Sequence, residues 1–186
     1  MTKISEAQIL IVSTKGFEQS ELEVPRDDLR KAGATVHVAT PNGQPVTGWK
    51  DGDWGREVEA DLKITDARVD DYDALVLPGG QMNPDLLRVD PDAMSLIKSF
   101  LASGKPVAAI CHAPWLLIEA GVMDGREATS YKSIRTDMEN AGANWKDEAV
   151  VVSDGIITSR NPGDLKAFVA KIVEEVGEGR HHRRAA

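Results

Sequence analysis

Five short apolar segments separated by helix-like segments constrain the fold of this chain more than any other feature of its sequence. They are residues 8–13 (QILIVS), 35–39 (TVHVA), 74–77 (ALVL), 107–110 (VAAI) and 156–159 (IITS). Continuous apolar strands, as opposed to strands in which apolar and polar residues alternate, are typical of a parallel sheet with helices on both faces. The sequence therefore predicts an α/β fold with a mostly parallel central sheet.

The length and composition of the chain indicate one folded domain. Its 186 residues are 41% hydrophobic and 28% charged, which is enough for one core of ordinary size. We expect this domain to span residues 1–176, with residues 40–67 forming hairpin strands or an excursion beside the sheet. Residues 177–186 (GEGRHHRRAA) are polar and basic, and we expect them to form a disordered tail.

Charge and cysteine content exclude several classes of protein. The 22 basic and 30 acidic residues give a net charge of -8, whereas surfaces that bind nucleic acids or anionic membranes are positive. We therefore expect small molecules or proteins as partners. Neither a secretory signal pattern nor an apolar run of about 18 residues is present, so a cytoplasmic location is expected. The single cysteine, Cys111, excludes an internal disulfide and a C-x-x-C redox or zinc motif.

Cys111 lies between a predicted strand and a helix that begins near Pro114. At a helix N-terminus, unpaired backbone N–H groups and the helix dipole lower the pKa of a thiol below about 8.5. The N–H of His112 and that of Gly79 or Gly80, at the end of another strand, are predicted to form an oxyanion hole. These features favour a nucleophilic Cys111. The alternative is an inert buried thiol that packs as a small apolar group.

Three further side chains are candidates for the chemistry of this site. His112 is able to act as a general base or acid once a third group orients its ring. Asp85 is the chief candidate for that group, and a solvated residue at a helix start is the alternative. Glu18 is expected to contact Cys111 as a protonated acid, because a second negative charge beside a thiolate is unfavourable. The alternative is an exposed loop carboxylate.

Other histidine and aromatic residues carry less information. Trp115 and Tyr131 are candidates for the wall of the pocket or for ordinary core packing. His181 and His182 form a pair in the tail that lacks companions and rigidity, so no metal site is expected.

Four segments of the chain resemble the ThiJ/PfpI superfamily, in the branch called intracellular protease I. They are DYDALVLPGG (residues 71–80), KPVAAICHAPWLLIEAGV (105–122), TSYKSIRTDMENAGANW (129–145) and TSRNPGDL (158–165). The resemblance extends from about residue 9 to residue 173. It implies a flavodoxin-like three-layer sandwich, a homodimer or homohexamer, and a reaction without a metal or organic cofactor.

The resemblance also assigns roles to residues. It implies that Cys111 is the nucleophile, that Glu18 is the protonated acid in contact with it, and that His112 is the histidine of the site. Asp85 is implied to complete a triad from a neighbouring subunit, at a position where the family member compared most closely has glutamate. Lys132 stands where related sequences often have proline, at the rim of the pocket.

The leading functional hypothesis is a stress-response hydrolase in which Cys111 attacks a carbonyl group. The resemblance implies a peptidase, a glyoxalase or a deglycase, with small carbonyl compounds, peptides or glycated proteins as substrates. The alternative is a non-enzymatic redox sensor or chaperone-like stress protein that uses an oxidisable Cys111. A glutamine amidotransferase is disfavoured, because it needs a histidine from a late strand and the only later histidines are His181 and His182.

Overall fold

The computed structural model describes residues 2–181, which form a central sheet between two layers of helices. The strands are β1 (Gln8–Val12), β2 (Thr35–Thr40), β3 (Val46–Lys50), β4 (Asp53–Val58), β5 (Leu62–Lys63), β6 (Ala74–Leu77), β7 (Val107–Ile110), β8 (Glu127–Ala128), β9 (Asn144–Trp145), β10 (Val150–Ser153) and β11 (Ile156–Ser159). The helices are α1 (Gln19–Lys31), α2 (Met82–Leu87), α3 (Pro91–Ser103), α4 (Pro114–Glu119), α5 (Arg135–Asn140) and α6 (Leu165–Glu178).

The central sheet has seven strands in the order β10-β11-β7-β6-β1-β2-β5. Its pairs are parallel except for β10 with β11, which form an antiparallel edge. Strands β7, β6 and β1 are neighbours in the middle of the sheet, so the loops that follow them emerge side by side at its carboxyl edge. In open parallel sheets this edge is where ligands bind.

The core is divided by the sheet into two apolar layers. Alternate residues of β1 point to opposite faces, with Leu10 in one layer and Ile11 in the other. Helices α3, α4 and α5 pack on the first layer, whereas α1 and α6 pack on the second. This arrangement confirms the predicted α/β three-layer sandwich with a mostly parallel sheet.

Helix α1 begins directly after Glu18 and contains a proline. Pro25 lies in the helix interior, six residues after Gln19, and not in the first turn. Since proline has no backbone N–H, the carbonyl group of Glu21 loses the donor that a regular helix would provide four residues later. Residues 46–58 form the antiparallel hairpin β3–β4, in agreement with the expectation for this segment.

The expectation of a disordered tail over residues 177–186 is wrong for the first residues of that segment. Helix α6 continues to Glu178, and the backbone N–H of His181 donates to the carbonyl of Gly104 at 2.8 Å. The helix persists because Ile172 and Val176 bury the apolar side of its last turns. The rest of the expected tail, including His182, lies outside the described residues. Within residues 2–181, no helix has the length and apolar character needed to cross a membrane.

Candidate active site

The loops that follow β1, β6 and β7 meet at the carboxyl edge of the sheet. The N–H of Glu18 donates to the carbonyl of Gly79 at 3.3 Å and thereby joins the first two loops. Gly80 has a φ of 77°, and a Cβ there would lie 2.5 Å from the carbonyl oxygen of Gly16. Only glycine permits this close approach.

Cys111 occupies a sharp turn between β7 and α4, as the sequence predicts. Its φ is 64°, in the left-handed region that residues other than glycine rarely adopt. The turn is held on both sides, because the Cys111 N–H donates to the carbonyl of Ser159 at 3.0 Å and its carbonyl accepts from the N–H of Tyr131 at 2.8 Å. A strained backbone at a buried thiol is typical of a nucleophile elbow.

The carboxyl group that contacts Cys111 belongs to Glu21, so the expectation for Glu18 is wrong. Glu21 is fully buried, its Oε2 accepts from the N–H of Gly79 at 3.0 Å, and its side chain is hydrogen-bonded to the Cys111 thiol. Glu18 is half-buried, and its Oε1 accepts from the hydroxyl of Ser20 at 3.0 Å.

The register of helix α1 explains why Glu21, and not Glu18, contacts the Cys111 thiol. Because α1 begins directly after Glu18, that residue is the N-cap and its carboxylate stays at the helix end. Glu21 lies one turn further along, on the face that buries Leu22, Pro25 and Leu29. A charged residue on an otherwise buried helix face was the signal in the sequence that would have identified Glu21.

Burial dominates the electrostatics of the Glu21 and Cys111 pair. Desolvation and the nearby charge of Glu18 raise the pKa of Glu21 to about 8. Hydrogen bonds from Cys111, Gly79 and Gly80 lower the same pKa, but by less. Glu21 therefore holds a proton at neutral pH. Desolvation and the charge of Glu21 also raise the pKa of the Cys111 thiol, while the backbone N–H groups of Gly80 and His112 lower it.

The raised thiol pKa corrects the expectation that the helix N-terminus lowers it. Helix α4 has only six residues and contributes little dipole, whereas Cys111 is just 5% exposed. The two groups titrate as a coupled pair, because two negative charges in one buried site repel strongly. A thiolate is therefore favourable only while Glu21 carries a proton, which removes that repulsion.

His112 is held between two partners within its own chain. Its Nδ1 lies 3.1 Å from the Cys111 sulfur, and its Nε2 lies 3.1 Å from the hydroxyl of Ser133. Burial lowers the pKa of His112, so the ring is neutral at pH 7 and one nitrogen acts as donor while the other acts as acceptor. Ser133 is a partner that the sequence analysis missed. No motif distinguishes this serine in a short turn.

Comparison with known proteins assigns the chain to a family. Residues 7–175 match the model of the DJ-1/PfpI family. The chain belongs to this family.

Curated and solved family members extend over most of the chain. Deglycase PfpI of Pyrococcus furiosus is 41% identical over 167 residues, which are 90% of this chain and 98% of that protein. General stress protein 18 of Bacillus subtilis is 46% identical over 163 residues, 87% and 92% of the two chains. The crystal structure of Drosophila melanogaster DJ-1beta superimposes with a TM-score of 0.83 at 32% identity and covers 96% of this chain and 95% of that one. The resemblance to the ThiJ/PfpI superfamily is thus confirmed.

Two aromatic rings surround the histidine of this DJ-1/PfpI family site. Tyr131 stacks on His112 with ring centroids 4.8 Å apart, and Trp115 meets the same ring edge-on at 5.3 Å. The indole N–H of Trp115 donates to Asp137 at 2.8 Å, which fixes its orientation. Both residues thus help to place His112.

Tyr131 also borders a cleft of about 440 Å³. The other residues of its wall are Ser130, Lys132, Trp145, Asp147, Arg160 and Asn161. Arg160 is paired with Asp147 and Asp164, whereas the side chain of Lys132 is exposed at the rim. The cleft thus lies against Tyr131, the ring that stacks on His112.

Asp85 lies on α2 and is exposed to solvent. Within residues 2–181, the contacts of the His112 ring nitrogens are to Cys111 and Ser133 and not to a carboxylate. A contribution of Asp85 to the histidine of a neighbouring subunit stays a prediction of the family resemblance.

Proposed function

We propose that this chain is a cysteine-dependent hydrolase of the deglycase type that acts on methylglyoxal and on its early adducts with amines. The observation that carries the proposal is the left-handed backbone of Cys111. This conformation brings one sulfur atom against two backbone N–H groups, a protonated carboxyl group and an imidazole nitrogen. The names of the deglycase and stress-protein relatives support the same reaction class and a role in the stress response.

In the proposed reaction, His112 takes the proton of the Cys111 thiol, and the resulting thiolate attacks the carbon that bears the amine in the adduct. A C–S bond forms, the C–N bond breaks, and the departing amine takes that proton from the imidazolium of His112. The C–H proton then moves from this carbon to the neighbouring carbonyl carbon, and the hydroxyl proton moves to the carbonyl oxygen, which converts the thiohemiacetal into a lactoyl thioester. Water hydrolyses the thioester, so that adduct and water give amine and lactate, with Cys111 restored.

The backbone N–H groups of Gly80 and His112 have two roles in this scheme. Before attack they face the negative sulfur, and when the thiolate adds to the aldehyde carbon of methylglyoxal itself, the charge passes to the carbonyl oxygen, two bonds from the sulfur. The same donors therefore remain within reach of the charge throughout the step, which keeps the reorganisation small. The protonated Glu21 prevents a second negative charge in the site.

His112 needs a fixed ring orientation to move protons in this way. Ser133 provides a neutral partner for Nε2 within the chain. We propose in addition that Asp85 of a neighbouring subunit approaches this site in a homodimer or homohexamer, as the family resemblance implies.

The proposed substrate classes are small carbonyl compounds, peptides and glycated proteins. The proposed compartment is the cytoplasm, because its reducing conditions preserve a lone thiol.

The test compares the wild type with Cys111→Ala. Lactate production from methylglyoxal, release of free amine from a methylglyoxal-treated lysine peptide, and cleavage of an unmodified peptide are measured side by side. We expect lactate and amine release from the wild type at least a thousandfold above the variant, because the covalent step is lost. Equal activity of the two proteins would remove Cys111 from the mechanism. Cleavage of the unmodified peptide alone would identify a protease and overturn the deglycase proposal.

A further inference from the structure

Three side chains with metal-binding atoms meet at the end of α6. Glu175, Glu178 and His181 form what we call the C-terminal cluster. One ligand atom of each lies within 4.8 Å of the other two. From the sequence alone, His181 is expected to lack companions and rigidity, whereas the structure supplies both.

His181 is held in place by two glycines. Its N–H donates to the carbonyl of Gly104 at 2.8 Å, and a Cβ on Gly104 would lie 2.5 Å from the His181 carbonyl oxygen. A Cβ on Gly155 would overlap the imidazole ring at Cδ2 and lie 2.7 Å from Cγ. The chain thus passes closely over both glycines, which fixes the direction of the ring.

Glu175 is the buried member of the cluster, with a side chain only 5% exposed. Its Oε2 lies 3.0 Å from Nε2 of His181, close enough for an ion pair. Nevertheless, neither atom has a hydrogen-bond partner among residues 2–181, the other atom included. A buried carboxylate oxygen without a hydrogen bond is costly, and this cost requires an explanation.

A shared metal ion explains both the short distance and the missing hydrogen bond. Zinc binds carboxylate oxygen and imidazole nitrogen at about 2.0–2.2 Å, which places neighbouring ligand atoms roughly 3.3 Å apart in a tetrahedral site. The observed 3.0 Å is near this value. In such a site the lone pairs of both atoms point at the metal and not at one another.

We propose that the C-terminal cluster binds one Zn²⁺ ion through Glu175, Glu178 and His181. An imidazole nitrogen with two carboxylates suits zinc better than magnesium or calcium, which prefer oxygen ligands alone. Three protein ligands leave a fourth position for water.

The proposed site stabilises the fold and takes no part in the chemistry of Cys111. Gly104 and Gly155 precede β7 and β11, whereas Cys111 follows β7. The C-terminal cluster therefore lies toward the opposite edge of the sheet from the thiol. Bound zinc would fasten the end of α6 to the two loops that carry these glycines.

The experiment is a calorimetric titration of untagged, EDTA-treated protein with zinc chloride. Cys111→Ala is the background, because a thiol beside His112 is itself able to bind zinc. We expect one zinc per chain, a higher melting temperature with zinc, and at least tenfold weaker binding in His181→Ala and Glu178→Gln. Glu178 is exposed, so its variant tests the site without disturbing the core.

Glu174→Gln is the matched control, since this residue is exposed on the same helix and pairs with Lys171. Its zinc affinity is expected to equal that of the background protein. Absence of saturable binding, or equal affinity in the His181→Ala and Glu178→Gln variants, would overturn the proposal and leave a simple pair between Glu175 and His181.

Discussion

Glu21→Gln should change how the stability of the protein depends on pH. The folded protein raises the pKa of this carboxyl group from 4.5 to about 8, mainly through burial. Between these two values the folded chain holds a proton that the unfolded chain has released, so each rise in pH favours unfolding. The stabilisation from the proton is complete below pH 4.5 and is lost as the pH rises through 8.

The size of the effect follows from the two pKa values. The free energy associated with the change from 4.5 to about 8 is about 5 kcal/mol, and roughly 3 to 4 kcal/mol of it falls between pH 5 and pH 8. Glutamine does not titrate, and its amide oxygen is still able to accept from the N–H of Gly79. The variant should therefore lack this loss of stability.

The prediction is tested by measuring the free energy of unfolding in urea at pH 5, 6, 7 and 8. Wild type and Glu21→Gln are compared at one fixed protomer concentration. The titration of His112 affects both proteins, and the thiol titrates above this range, so the difference between the two free energies isolates Glu21. The difference should change by roughly 3 to 4 kcal/mol in favour of the variant as the pH rises. A difference that is constant from pH 5 to pH 8 would show that Glu21 is not buried in its neutral form.

Three further predictions concern the same site. Alkylation of Cys111 by iodoacetamide should keep accelerating with pH from 6 to 9 without levelling off near the ordinary thiol value, because burial and the charge of Glu21 raise the pKa of the thiol. A rate that levels off below pH 8 would contradict the raised thiol pKa. Gly79→Ala should destabilise the protein by about 1–3 kcal/mol in urea, because its Cβ would lie 2.6 Å from the Cβ of Cys111. Gly177→Ala, which has open space in α6, is its control and should be neutral or stabilising. Ser133→Ala should lower kcat on methylglyoxal about two- to tenfold with little change in KM, and Ser133→Thr should restore it. An unchanged kcat in the alanine variant would exclude a positioning role.

The sequence was sufficient for the architecture and for the position of Cys111 in a sharp turn after β7. Uninterrupted apolar strands specify a parallel sheet, and its strand ends bring Gly79 and Cys111 together. Which glutamate is buried depends on where α1 begins, and the sequence leaves that start open because Pro25 is tolerated in a first turn but lies here in the helix interior. The helix register, and not the local motif, decided which carboxyl group is buried.

Other parts of the site carry no local signal in the sequence. Ser133 meets His112 through the path of a short turn, and nothing in its neighbouring residues distinguishes it. The position of His181 depends on contacts with Gly104, far away in the chain, so a polar terminal segment gave the wrong expectation of disorder. Packing between segments that are far apart in the chain thus determines both the contact of Ser133 with His112 and the ordered position of His181.

The origin of the site in three separate loops has a consequence for how the protein folds. Glu21, Gly79 and Cys111 follow strands that are adjacent in space although they are far apart in the chain. Until these strands pair, the thiol is an ordinary exposed cysteine with a pKa near 8.5. Its environment changes only when the middle of the sheet closes. The rate at which Cys111 is alkylated during refolding therefore reports when the middle strands of the sheet pair. The chain has no second cysteine whose alkylation would add to the signal.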